Sequence, residues 1–183
     1  YSVIIQEYGF APRHFEFGDI FSSMFLHSDN PVHLLGNMMF LFIYGDNVED
    51  VLGSFVFLSV YIVCGFIAAL TSYIFISDSP SVYIGASGAI SGVLGLYLVF
   101  FPKVEADLYF ARFRVARVTI RAALLIWFVQ QFIFMLFLEF SGAANTAFSA
   151  HFGGMFFGIM AGLALKGLGF IQAFDLRIRK HNA

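Results

Sequence analysis

The side chains best suited to chemistry lie in two apolar stretches, VYIGASGAIS at residues 82–91 and SAHFGGMFFG at residues 149–158. The first holds Ser87 and the second holds His151. A serine hydroxyl beside a neutral imidazole is the smallest arrangement that supports nucleophilic acyl transfer, because the imidazole takes the hydroxyl proton and returns it to the leaving amine. Ser87 and His151 are therefore the candidate nucleophile and general base, if the fold brings them together.

Two further polar residues could stabilise the negative charge that such a reaction develops. His33 and Asn37 are four residues apart, so they share one face of a helix, and both can donate hydrogen bonds. The backbone N–H of Ser87 is a third candidate donor if it lies near a helix start. Apart from Glu139 and the loop residue Asp78, no Asp or Glu lies in any span at this depth, so the pattern predicts a Ser–His dyad rather than a triad.

Histidines also bind metals, and His27, His33 and His151 could together supply three nitrogen ligands to zinc. The sequence has no HExxH motif, and these histidines have no cysteine or intramembrane carboxylate beside them. His27 precedes Ser28 and Asp29, where hydrogen bonding is the simpler use of its ring. A zinc site is therefore the main rival interpretation and the less favoured one.

The composition indicates an integral membrane protein. Hydrophobic residues make up 60% of the 183 residues, charged residues only 12%, and the mean hydropathy is +0.83. A soluble domain carries roughly twice that charged fraction, and a core of this size could not hide 26 phenylalanines. The net charge of −2 gives no sign of a nucleic-acid partner, and the single cysteine, Cys64, excludes an internal disulfide.

Five segments are long and apolar enough to cross a hydrocarbon core of about 30 Å. The predicted fold is an all-α membrane protein with an outer or interfacial segment at 1–30, a transmembrane core at 31–166 and a cytoplasmic tail at 167–183. The predicted spans are residues 31–49, 55–76, 82–101, 119–139 and 146–166.

Basic residues indicate the orientation of these spans. They cluster on one side of the membrane, whereas the other side receives only Arg13. We therefore expect a cytoplasmic C-terminus and a further span upstream of Tyr1. The expected location, which this charge pattern does not itself identify, is a bacterial inner (plasma) membrane. The clustered basic residues are Lys103, Arg112, Arg114, Arg117 and Arg121 in the third loop and Lys166, Arg177, Arg179 and Lys180 after the last span.

Small residues predict which spans touch. The first, third and fifth spans enter from the outer side, so the four candidate site residues lie at similar depths. Small residues at four-residue intervals let membrane helices approach closely, and such a contact would deliver His151 to Ser87. The two stripes are Ser87, Ser91 and Gly95, flanked by Gly88 and Gly92, and His151, Gly154, Gly158 and Gly162.

The other polar residues have structural interpretations. Each motif taken alone fits helix packing, and only the agreement in depth and facing favours chemistry. Gln130 and Gln131 are expected to hydrogen-bond to a neighbouring helix; contact with a substrate backbone is the less favoured interpretation. Asp46 and Asp50 lie together at one helix end, which does not suit an aspartyl protease, and Glu49 beside them is assigned to capping and turn structure.

Three blocks of the sequence resemble the rhomboid family of intramembrane serine proteases. FLHSDNPVHLLGNMMFLFIYGDNVEDVLG (25–53) is similar to the family's His-x-x-x-Asn span, GASGAISGVLG (85–95) to its GxSG motif, and AHFGGMFFG (150–158) to its histidine followed by paired glycines. Each block is weak alone, but the set occurs in the family's order and spacing and covers most of the chain from about residue 20 to 165.

The resemblance implies a rhomboid-like helical bundle that cleaves single-span membrane proteins near the outer face of the membrane and uses no metal or cofactor. By resemblance, Ser87 is the nucleophile, His151 the base, His33 and Asn37 the oxyanion-stabilising pair, and Glu49 a structural residue. Gly88, Gly154 and Gly158 are expected to be structural, and His27 to lie near the active-site mouth. The fourth span would be the side gate, and residues 77–86 a loop over the site.

Two departures from the family and two alternatives are noted. The family's first helix has no counterpart here, and the Trp-Arg pair of its first outer loop is absent; that region reads FEFGDIFSSMF. The runner-up function is a non-proteolytic membrane adaptor or chaperone that binds transmembrane helices. A small transporter has little support, because the five spans show no inverted repeat.

Overall fold

The structure, a computed structural model, describes residues 2–110, 112–142 and 146–174. Arg177, Arg179 and Lys180 of the predicted tail lie outside the described residues. The described chain is mostly helical, as predicted. Its elements are α1 (Ser2–Tyr8), α2 (Phe17–Ser23), α3 (Pro31–Phe40), α4 (Asp46–Leu52), α5 (Ser54–Ile76), α6 (Ser87–Phe100), β1 (Glu105–Phe110), β2 (Phe113–Thr119), α7 (Ile120–Phe134) and α8 (Phe148–Gly167).

Three helices within the described residues have the length and hydropathy to cross a membrane. They are α5, the continuous helix Ile120–Glu139 formed by α7 and a π-helical turn at Met135–Glu139, and α8. Their ends agree with the second, fourth and fifth predicted spans to within two residues. The first predicted span is helical from Pro31 to Leu52, as α3, a π-helical turn at Leu41–Gly45, and α4.

The third predicted span is shorter than expected. Residues 82–86 are not helical, because Gly85 has a φ of +114°, which an α-helix excludes, and α6 begins only at Ser87. Its 14 residues rise about 21 Å, less than the roughly 30 Å of a hydrocarbon core. The helix can therefore begin below the membrane surface, with a loop leading down to it.

A β-hairpin between α6 and α7 is missing from the all-α prediction. Strands β1 and β2 pair antiparallel, with Glu105 opposite Thr119 and Asp107 opposite Arg117. Arg117 Nε donates to Asp107 Oδ1 over 2.8 Å, and Arg114 Nη1 lies 3.4 Å from the same oxygen. The charges of this segment, which suggested only a loop, thus pair along a short sheet.

Helix α6 lies at the centre of the bundle. Every residue from Ala89 to Phe100 is buried, mainly against α5 and α8. The two small-residue stripes lie against each other: a Cβ added at Gly158 would meet the backbone of Gly92, and one added at Gly154 would meet the carbonyl oxygen of Gly88. The two helices therefore touch backbone to backbone, which only glycine allows.

Candidate active site

Ser87 and His151 are in direct contact. Ser87 is the first residue of α6 and His151 the fourth of α8, and Ser87 Oγ lies 2.9 Å from His151 Nε2. Both residues are partly buried. The glycine contact between the two helices continues directly below this pair, so it fixes the distance between hydroxyl and imidazole.

The backbone before Ser87 has a shape that requires glycine. A Cβ at Gly85 would lie 2.7 Å from His33 Nε2, and the positive φ of Gly85 is rarely adopted by other residues. The Gly85 N–H donates to the carbonyl oxygen of Ser23 over 2.8 Å. Further out, Phe10 and Tyr83 exchange two backbone hydrogen bonds of 3.0 and 2.8 Å. The approach to Ser87 is thereby tied to the N-terminal segment.

His33 and Asn37 lie beside Gly85 on the side of α3 that faces α6. The backbone N–H of Ser28 donates to His33 Nδ1 over 3.4 Å. Since Nδ1 then accepts, neutral His33 carries its proton on Nε2, the atom nearest Gly85. Asn37 is 7% exposed, and its Nδ2 has no hydrogen-bond partner among the described residues. A buried unpaired donor is costly, so this amide is available to an incoming acceptor.

Gln131 adds a third side chain to the Ser87–His151 pair, on the opposite side of the imidazole ring. His151 Nδ1 lies 2.8 Å from Gln131 Oε1, on the far side of the ring from Ser87. The expected hydrogen bond from this residue to a neighbouring helix is confirmed, but its partner could not be read from the sequence. An amide in the middle of an apolar span was the available signal, since such a group needs a partner in lipid.

Glu139, the last residue of the π-helical turn that follows α7, forms a second polar contact with α8. Its Oε2 accepts from the Ser149 backbone N–H over 2.6 Å, and its Oε1 accepts from Ser149 Oγ over 2.8 Å. Ser149 Oγ in turn lies 2.9 Å from Ser72 Oγ on α5. Ser149 is two residues before His151, so this network anchors the first turn of α8 just outside the Ser–His pair.

Two other sequence candidates lie apart from the Ser–His pair. Glu49 lies on α4; its carbonyl oxygen accepts from the Gly53 N–H over 2.6 Å, and it lines a surface cavity with Phe57 that none of the four candidate site residues borders. His27 lies edge-on to His33, with ring centroids 5.2 Å apart. Within the described residues, no group of three His, Cys, Asp or Glu side chains is placed to hold a metal ion.

Two cavities meet at the Ser87–His151 pair. One, of about 400 Å³, has Ser28, Tyr83 and Thr146 among its lining residues. The other, of about 250 Å³, lies between α3 and α7 and is lined by apolar groups such as Val32, Phe40 and Trp127. Both cavities thus reach the same hydroxyl, and the second is somewhat the more apolar of the two.

The comparisons with known proteins agree with this architecture. The family model described as Rhomboid domain matches residues 14–167, most of the chain. No curated protein matches the sequence. The match extends from before α2 to the last residue of α8 and includes every element that forms the candidate site. The chain belongs to the rhomboid family.

Proposed function

We propose that the protein is an intramembrane serine protease that hydrolyses peptide bonds of transmembrane substrates through a Ser–His dyad. The observation that carries this proposal is the 2.9 Å contact between Ser87 Oγ and His151 Nε2, at the meeting point of the two cavities. Family membership supports it, because the rhomboid family generally consists of intramembrane serine proteases.

In the proposed first step, Ser87 Oγ attacks the scissile carbonyl carbon while its proton passes to His151 Nε2. The carbonyl oxygen becomes an oxyanion, which His33 Nε2–H, Asn37 Nδ2–H and the Ser87 backbone N–H can stabilise as donors already in place. His151 then gives the proton to the departing amine, and the C–N bond breaks to leave an ester on Ser87. In the second step, water gives its proton to His151 and attacks the ester, which releases the acid and restores the Ser87 hydroxyl.

The proposed substrates are single-span membrane proteins that enter from the lipid between α3 and α7. Only 22% of the most apolar stretch of the helix Ile120–Glu139 is buried, and Trp127 lines the cavity beside the site. The helix is therefore the element most easily displaced as a side gate. Residues 77–86 would cover the site from outside, and we propose that residues 31–166 are the catalytic core, with 1–30 outside and 167–183 in the cytoplasm.

The test is cleavage of a fluorogenic transmembrane substrate in proteoliposomes, together with labelling by a serine-directed fluorophosphonate. Ser87→Ala should abolish both, whereas Ser59→Ala, at an exposed serine of α5, should leave both unchanged. Cleavage that persists in Ser87→Ala would show the mechanism to be wrong. A wild-type chain that binds the substrate helix but neither cleaves it nor reacts with the probe would point to an adaptor.

A further inference from the structure

Gln131 is a buried amide on a helix that is otherwise largely exposed. It is 5% exposed, while Gln130 beside it faces outward. Placing an amide in a membrane span is unfavourable unless it is hydrogen-bonded. The 2.8 Å contact between Gln131 Oε1 and His151 Nδ1 supplies this hydrogen bond, and the partner is the imidazole of the candidate site.

His151 can act as general base toward Ser87 only in one of its two neutral tautomers. A neutral imidazole carries one proton, so one ring nitrogen donates and the other accepts. For Nε2 to take the Ser87 hydroxyl proton, its lone pair must be free and the ring proton must be on Nδ1. That Nδ1–H needs an acceptor, and the oxygen of Gln131 is the hydrogen-bond partner that the described structure gives it.

We propose that Gln131 is a positioning residue for this reaction: its amide oxygen selects the Nδ1–H tautomer of His151 and so aims the Nε2 lone pair at Ser87. The inference rests on the proposed function. It gives the uncharged amide the role that a carboxylate has in a catalytic triad, where the acceptor holds the ring orientation and stabilises the imidazolium.

The helix geometry holds Gln131 in register with His151. Gln131 and Glu139 are eight residues apart, which in a regular α-helix would turn them about 80° away from each other. The π-helical turn at Met135–Glu139 is wider, with less rotation per residue, and it removes most of that offset. Both side chains therefore face α8 and bond on either side of its first turn, at Ser149 and His151.

The test compares two substitutions of Gln131 with opposite properties. Gln131→Met keeps the side-chain volume and removes the acceptor, whereas Gln131→Glu keeps an acceptor oxygen at the same reach. We expect Gln131→Met to lower kcat and the rate of fluorophosphonate labelling about 10-fold, the effect of losing one hydrogen bond, with KM unchanged. Gln131→Glu should retain most of both rates. Gln130→Met is the matched control and should equal the wild type.

A role in packing alone predicts the reverse order, because methionine would fit the site and a carboxylate would not. The inference is overturned if Gln131→Met keeps full activity, or if Gln131→Glu is the slower variant. Both results are read against a wild type that cleaves, so they are distinct from failure of the proposed function, in which the wild type neither cleaves nor reacts with the probe.

A spectroscopic measurement reports on the tautomer whether or not the chain is active. In protein labelled with ¹⁵N in its histidine rings, at a pH well above the ordinary imidazole pKa of about 6.5, protonated and unprotonated ring nitrogens give separate signals. We expect the His151 signals, identified by their loss in His151→Phe, to show the proton on Nδ1 and to change in Gln131→Met. A wild-type proton on Nε2 would overturn the inference.

Discussion

Helix α8 meets two of its neighbours, α6 and α7, in very different ways. Against α6 it presents glycines, and Gly154 and Gly158 bring the two backbones into contact. Against α7 and the π-helical turn that continues it, α8 presents side chains. The rings of Phe128 and Phe152 are stacked 5.0 Å apart, and Gln131 and Glu139 bond to the first turn of α8. One interface is thus set by the backbone, and the other by side chains that can change rotamer.

The two interfaces of α8 affect the candidate site in different ways. The contact with α6 fixes the Ser87–His151 distance, which has to be held closely for proton transfer. In the proposed mechanism, the contact with α7 sets which nitrogen of the imidazole carries the proton, and α7 is the proposed side gate. Substitutions on the α6 side of α8 should therefore cost more than substitutions on its α7 side.

The largest effect is expected for Gly158→Ala. The added methyl would overlap the Gly92 backbone, which cannot move aside as a side chain can. We expect a loss near the upper end of the roughly 1–3 kcal/mol that overpacking costs, together with loss of fluorophosphonate labelling. Gly167→Ala is the matched control, because no atom lies within 4 Å of a Cβ at that position. Equal unfolding midpoints in detergent for the two variants would contradict the proposal that the contact between α6 and α8 is rigid.

Glu139→Ala should have the next largest effect. It leaves the Ser149 backbone N–H without its acceptor, and a buried orphaned donor costs about 1–3 kcal/mol. Glu139→Gln keeps one acceptor oxygen and should cost about half as much. Thermal unfolding in detergent measures both, and a loss in Glu139→Gln as large as that in Glu139→Ala would contradict the hydrogen-bond explanation.

The aromatic contact should be more tolerant. Phe152 lies near both Phe128 and Phe132, with ring centroids 5.0 and 5.2 Å away. Phe152→Leu removes the ring interactions and keeps an apolar side chain, so we expect a loss of about 0.5–1.5 kcal/mol and retained fluorophosphonate labelling. Loss of labelling in a folded Phe152→Leu protein would mean that the α7 side also fixes the Ser–His geometry.

The same contrast explains what could be predicted from the sequence. Glycine spacing carries information about backbone contact, because only residues on one helix face can form a stripe, and the α6–α8 contact follows from it. The partners of Gln131 and Glu139 depend on the rotation of α7, which the π-helical turn changes. Hydrophobic spacing does not reveal such a turn. The start of α6 was also missed, since the apolar residues before Ser87 do not show that Gly85 adopts a positive φ.

The smallest effect is expected for Asp107→Asn, in the β-hairpin outside the helical bundle. The Arg117 guanidinium beside Asp107 lowers the pKa of that carboxyl below its ordinary value of 3.8. A carboxyl with a lowered folded-state pKa contributes stability above its unfolded pKa, and this is lost as the pH falls through the folded value. The unfolding midpoints of the wild type and Asp107→Asn should therefore differ slightly at neutral pH and converge below pH 3.8.

Because Arg117 is exposed and Asp107 is partly exposed, salt should reduce this small difference at neutral pH, whereas it should leave the effect of Glu139→Ala unchanged. Measuring the two variants at low and high salt thus compares a polar contact in water with one inside the bundle. If salt reduced both effects equally, Glu139 would be in contact with solvent, and the α7 side of α8 would be less well ordered than its hydrogen bonds indicate.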